Sequence, residues 1–251
     1  MNAHRIAQGL VLAVLLGGTG CIKLDSTLTI NADGGGKWRL VYSMPAHMIK
    51  QVQSTAVLAA ELRRAGGVGN AVPELLDIPL LFDETVLQNR FASLAAPGLV
   101  LSKLTVNTHG AWPSVELTIQ FDSLETLLKQ PYFADMGAVY RRDVDGTGRL
   151  VLQAPHLGVI EPLPDLTDPK VAPTVTPFFA GLHVTSRIIA PGSVRNTNAG
   201  NSDSRRCTWE WDFDQDSGSL ARLNEAKMIV VFDAGTVHMK SFEKPARPPV
   251  K

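Results

Sequence analysis

The chain has 251 residues, with 24 basic and 24 acidic side chains and a formal net charge of zero. That balance argues against nucleic-acid binding, which needs a concentrated basic face, and against attachment to anionic lipid by charge alone. Two cysteines give no disulfide framework, yet the length suffices for an unstapled core in one large unit or two small ones.

The first element is an apolar run, Leu10 to Leu16, preceded by a single positive charge at Arg5 and followed by Gly17-Gly-Thr-Gly-Cys21. It is shorter than the ~20 residues a bilayer span needs. A short apolar core ending in small residues is a secretion-signal pattern, because the peptidase must grip extended backbone beside the cleaved bond. Gly18-Thr-Gly-Cys21 resembles the lipobox of bacterial lipoproteins, with Gly18 standing where those proteins usually carry Leu. The resemblance implies that residues 1–20 are removed and that Cys21 receives a diacylglyceryl thioether and becomes the mature N-terminus. Two or three acyl chains, at ~0.8 kcal/mol per buried methylene, anchor stably where one does not. An ordinary secreted protein and an uncleaved anchor are the alternatives. Ile22 follows the cysteine where Asp is absent, which resembles the outer-membrane pattern of proteobacterial lipoproteins. The expected location is the bacterial cell envelope, lipid-anchored on the periplasmic side, in the outer membrane if the host is Gram-negative.

Ile22, Leu24, Ser26, Leu28 and Ile30 alternate with polar residues, as in a half-buried strand. Asn31-Ala-Asp-Gly-Gly-Gly36 supplies turn chemistry, and Trp38, Leu40, Tyr42 and Met44 continue the alternation, so the pair reads as a hairpin. Because Ile22 opens the strand directly after Cys21, no tether separates body from anchor, and the start of this strand with its sheet neighbours is expected to face the headgroups. Met48, Val52, Thr55, Ala59 and Leu62 follow helical spacing after Pro45, ending at Gly66-Gly67, and residues 66–82 read as a loop. Asp83 is placed to cap a helix through Leu87, Phe91 and Leu94, stopped by Pro97-Gly98.

Strands are predicted over 99–106 and 114–121, joined by Thr108-His-Gly-Ala-Trp-Pro113. Asp122, with Glu125 three residues on, predicts a capped short helix carrying Leu124, Leu127 and Leu128. Strands over 138–143 and 149–153 flank Val144-Asp-Gly-Thr-Gly148, a hairpin signal. Six prolines between 155 and 177 mark a long irregular segment, the best internal boundary if there are two domains. Three more strands are expected over 182–189, 206–213 and 227–233. The expected organisation is a single domain over 21–235 and a flexible tail over 236–251. The fold class is α+β: a mainly antiparallel, bent sheet of about seven to nine strands with about three helices packed on one face.

Three stretches together resemble the LppM-like family of bacterial lipoproteins. They are Cys21-Ile-Lys-Leu-Asp25 running through Asn31-Ala-Asp-Gly34; Phe121-Asp-Ser-Leu124; and Ala190-Pro-Gly-Ser-Val194 with Asn196-Thr-Asn198, leading to Trp209-Glu-Trp211. The resemblance implies an α+β envelope domain with no catalytic residues to carry over. Some members have a C-terminal transmembrane segment, for which this sequence has no counterpart.

Asp212-x-Asp214-x-Asp216-Ser-Gly218 is the sharpest chemical pattern, since alternate aspartates before a glycine look like the start of a calcium loop. Ser217 and Leu223 stand where such a loop wants Gly and a bidentate Glu, so an acidic strand exit is the plainer account. No metal and no cofactor are therefore expected. Gly34-Gly-Gly36 and Gly66-Gly-Val-Gly69 lack the following Lys-Ser/Thr of a phosphate loop. His47, His109, His156, His183 and His238 are scattered, with no zinc helix and no nucleophile elbow. Cys207 shares a strand face with Trp209, Trp211 and Phe213, which favours a buried thiol. The same tryptophans are candidates for lining a lipid pocket, with ordinary core as the plainer account. Asn196 to Asp203 is either a polar recognition loop or an exposed turn.

The function these features predict is a non-enzymatic, lipid-anchored envelope protein that binds a lipid or other hydrophobic ligand, partnering the membrane through Cys21. One alternative is a structural or assembly lipoprotein presenting a surface to an envelope protein partner. The other is a hydrolase, which needs Ser, His and an acid converging in a cleft.

Overall fold

A computed structural model of the chain describes residues 22–50, 54, 82–93, 96–130, 137–153, 179–216 and 218–244. The signal and Cys21, most of the helix expected over 48–62 and of the loop expected over 66–82, and the proline-rich stretch 155–177 lie outside the described residues.

The alternating N-terminal stretch forms β1 (Lys23–Ile30) and β2 (Gly36–Ser43), paired in full antiparallel register from Lys23 opposite Ser43 to Ile30 opposite Gly36. The turn between them needs a left-handed residue, and Gly34 supplies it at φ +87. Next come β3 (Leu99–Asn107) and β4 (Ser114–Phe121), and then β7 (His183–Ile189), β9 (Asn201–Ser202) and β10 (Arg206–Asp212). These strands form a seven-stranded sheet in the order β3-β4-β2-β1-β7-β10-β9. Its one parallel pair is β1 with β7.

The expected single bent sheet is replaced by two. The remaining strands, β5 (Ala138–Arg142), β6 (Thr147–Gln153), β8 (Val194–Thr197), β11 (Lys227–Asp233) and β12 (Phe242–Lys244), form a separate antiparallel sheet in the order β12-β5-β6-β11-β8. Alternation shows that a strand buries one face, and it is silent about what covers that face. Here each sheet covers the other: one core cluster draws Leu28, Ile30, Trp38 and Trp209 from the first sheet and Tyr140, Leu150, Val230 and Phe232 from the second. Full burial of such side chains contributes about 1.5–3 kcal/mol each. The broad α+β class holds, with short helices set apart from mainly antiparallel sheet.

The helices are α1 (Glu84–Ser93), α2 (Leu124–Leu128) and α3 (Ser219–Glu225), with a further helical turn at residues 46–50. Asp83 caps α1 as expected, its Oδ1 accepting the Val86 amide at 3.0 Å. Helix α2 departs from expectation at its start. Its N-cap is Ser123, with no side-chain cap, and the free Leu124 amide donates instead to the Gly34 carbonyl at 2.9 Å. Glu125 turns to Lys129, 2.8 Å away. The expected apolar face, Leu124, Leu127 and Leu128, is buried.

Residues 236–244, expected in a flexible tail, are built into the body. Val237 and Met239 are buried, the His238 amide donates to the Ala32 carbonyl at 2.7 Å, and β12 pairs with β5. Residues 245–251 lie outside the described residues. The stretch 196–203, read as a loop or exposed turn, holds the end of β8 and all of β9, and Gly192 ahead of β8 lies so close to Asp233 that a Cβ would collide with that residue's backbone carbonyl.

Candidate functional site

Two places bear on function: the aromatic face of β10 and the end of the first sheet at which β1 begins. The alternation Cys207, Trp209, Trp211 points all three side chains inward, and they are buried. The Trp209 indole N–H donates to Asn198 Oδ1 at 3.2 Å, and the same oxygen accepts the Ile229 amide at 2.9 Å. Asn198 Nδ2 in turn donates to the Lys227 carbonyl at 2.6 Å. Asn198, a member of the expected recognition loop, therefore ties β10 of one sheet to β11 of the other. Burial pushes the Cys207 thiol up from its ordinary value, against a hydrogen bond with Thr197 that lowers it. A thiol held protonated in this way is a poor nucleophile.

Trp211 also lines a cleft between α3 and the sheet, with Leu182, Val184, Phe213, Ser219 and Leu223. It has no room for even a water-sized sphere, far from the ~300–1,000 Å³ of pockets that hold drug-sized ligands. The described part of the aromatic face is thus packed as core.

The acidic run exits β10 in a turn. Asp212 Oδ1 accepts the amides of Asp214 and Gln215 at 3.0 and 3.1 Å. Asp214 accepts the Gly181 amide at 2.7 Å, and Asp216 pairs with Arg222 at 2.5 Å. The Arg222 hydrogen bond, then the Gly218 amide, holds the Asp216 carboxyl below its ordinary range. The three carboxylates are engaged separately, and among the described residues no group of three His, Cys, Asp or Glu side chains is placed to hold a metal ion. The weaker Asp143–Gly148 pattern is likewise a turn: Asp145 accepts both the amide and the hydroxyl of Thr147, at 2.9 and 2.7 Å.

At the other site, register brings distant residues to one level. Lys23 lies opposite both Ser43 and His183, Ser43 opposite Ser114, and His183 opposite Asp212. The beginning of β1, the β3–β4 loop and the beginning of β7 therefore share one end of the sheet. The Lys23 ammonium sits 4.6 Å from the centroid of the Trp112 ring, a cation–π contact of about 0.5–1 kcal/mol at an exposed site. Trp112 is 39% exposed and Ile22 37%. The loop carrying Trp112 is fixed, because the Met44 and Ala46 amides donate to the carbonyls of Pro113 and Ala111 at 3.2 and 3.0 Å. Ile22 is fixed by the His183 amide, which donates to its carbonyl at 3.0 Å.

His183 has its Nδ1 3.5 Å from Asp212 Oδ2 and its Nε2 3.1 Å from the Thr185 hydroxyl. The buried Ser219 hydroxyl donates to the Asp212 backbone carbonyl at 3.1 Å. The Lys23–Trp112 and His183–Asp212 pairs escape sequence reading because only strand register brings them together.

No family model and no curated protein matches the chain. Among solved structures it is similar to the folded domain of the Mycobacterium tuberculosis LppM protein, determined by NMR, with a TM-score of 0.38 and 10% identity over 84% of this chain and 89% of that one.

Proposed function

We propose that this chain is a lipid-anchored envelope protein, held to the membrane through Cys21, that acts by presenting its folded body as a surface at the bilayer. The observation that supports it is the start of β1. Lys23 is already in register with both neighbours, so a single residue, Ile22, separates the expected lipid-bearing cysteine from the sheet. Acyl chains on Cys21 would then fix the orientation of the body and not merely its address.

Expression with its own leader in a bacterium, with an alkyne fatty acid supplied, tests the anchor. The expected result is label on Cys21, a matching mass on the N-terminal peptide, and release of Cys21→Ala from the membrane fraction. An unlabelled wild-type protein overturns the reading.

A second reading, binding of a hydrophobic ligand, needs a cavity, and the cleft beneath α3 that Trp211 lines has no room for one. Native mass spectrometry of the protein from its own membrane separates the two. A stoichiometric lipid beyond the covalent anchor favours the ligand reading, and a stoichiometric protein favours the surface reading.

A further inference from the structure

We infer that Trp112, Ile22 and Lys23 form a rim that enters the headgroup region of the bilayer, so that the body is seated at a defined edge and does not swing from its anchor. This rests on the anchored reading above.

Four large hydrophobic side chains are exposed among the described residues: Ile22, Val100, Trp112 and Val144. Val100 sits near the far end of β3, opposite Gln120, and Val144 lies in the β5–β6 turn. Single exposed apolar residues of that kind are ordinary. Ile22 and Trp112 differ because they share one end of the first sheet, joined through Lys23, and that end is where the chain arrives from Cys21. One Cα–Cα step is ~3.8 Å, so acyl chains on Cys21 would bring the bilayer surface to Ile22 itself.

The side-chain chemistry fits that occupant. An indole is a flat apolar body with one N–H donor, and tryptophan collects at membrane–water interfaces for that reason. Its ring is presented by a loop pinned at both Ala111 and Pro113, so little ordering remains to be done on contact. Lys23 keeps its charge over the ring, at the level where lipid phosphates lie, and its stem follows the apolar surface. His47 and Lys50 are exposed on the neighbouring helical turn, whose Ala46 bonds to the Trp112 loop. The opposite flank of the same end carries Asp212, Asp214 and Asp216, with Arg222 paired to Asp216 and His183 beside Asp212, so it offers an anionic surface less attraction than the Lys23 flank. The rim therefore has a basic, aromatic side that goes down and a more acidic side that does not.

Full-length lipidated protein reconstituted into phosphatidylcholine–phosphatidylglycerol vesicles tests this, with bromines on the upper acyl carbons as quenchers. Trp38, Trp209 and Trp211 are 4–6% exposed, so Trp112 is the indole within reach. The expected result is bromine-dependent loss of emission in the wild type, abolished in Trp112→Phe, with both proteins carrying the Cys21 label. Labelled protein with no quenching, or with quenching unchanged in Trp112→Phe, overturns the rim and leaves the anchor standing. Absence of the label overturns the anchor and the rim together.

Discussion

The inward face of β10 and the rim at the start of β1 use the same residue type to opposite ends. Trp209 has its ring in the core and its N–H on Asn198, so every part of it is satisfied inside the protein. Trp112 has one face under a lysine and is left 39% open by a loop that is itself well bonded. An aromatic residue marks a contact surface when rigid backbone holds it out of the core, and marks core when its polar atom has an internal partner.

The contrast is sharpest in stability. Trp209→Ala should cost about 3–5 kcal/mol through cavity and lost transfer energy, whereas Trp112→Ala should cost no more than about 1 kcal/mol, the worth of its exposed contact with Lys23. Urea unfolding of the two variants measures both, and similar losses would break the comparison. A smaller effect separates polar from apolar contributions on the interior side. Asn198→Ala removes the acceptor for the Trp209 and Ile229 N–H groups and should cost about 2 kcal/mol. A double-mutant cycle with Trp209→Phe should then show favourable coupling between the two residues.

The smallest effect concerns pH. Burial raises the Cys207 thiol in the folded state, so the unfolded chain gives up this proton first as pH rises. Stability should therefore fall with increasing pH from the ordinary thiol value of 9.0 up to the raised folded one. Burial raises Tyr140 as well, from 10.0, with the same sign at higher pH. Comparing wild type with Cys207→Ala from about pH 7 to about pH 10 isolates the thiol, because Tyr140 is common to both. A slope shared by the two proteins would refute the assignment.

Much of the interior was legible in the sequence. Cys207, Trp209 and Trp211 alternate with Thr208 and Glu210, and the hairpin of β1 and β2 carries both its pattern and its glycines. The sheet to which each strand belongs was not legible, because a buried face looks the same whether a helix or another sheet covers it. Val194-Arg-Asn-Thr197 has no alternation and earns its place in β8 only by pairing with β11. Helix α3 begins inside a stretch whose aspartates suggested an ion loop, and among its described side chains Ser219 and Leu223 are buried. The rim was legible only in outline. The expected lipid on Cys21 points to the start of β1, but Lys23 and Trp112 are 89 residues apart, and nothing local announces their meeting.

The parallel pairing of β1 with β7 also bears on how the chain can fold. Asp25 on β1 is ion-paired with Arg187 on β7, 162 residues later. Closing a loop of that size costs about 4–5 kcal/mol in chain entropy alone. Strands β1 to β4 form a run of neighbours that can assemble early, but their inner face finds its cover only in later parts of the chain. Sheet two is divided in the same way, since β6 must wait for β11. Neither half completes a core alone, so the fold should close late and all at once. On the proposed anchored reading, a chain emerging N-terminus first would acquire its lipid while still open, and complete its sandwich already tethered.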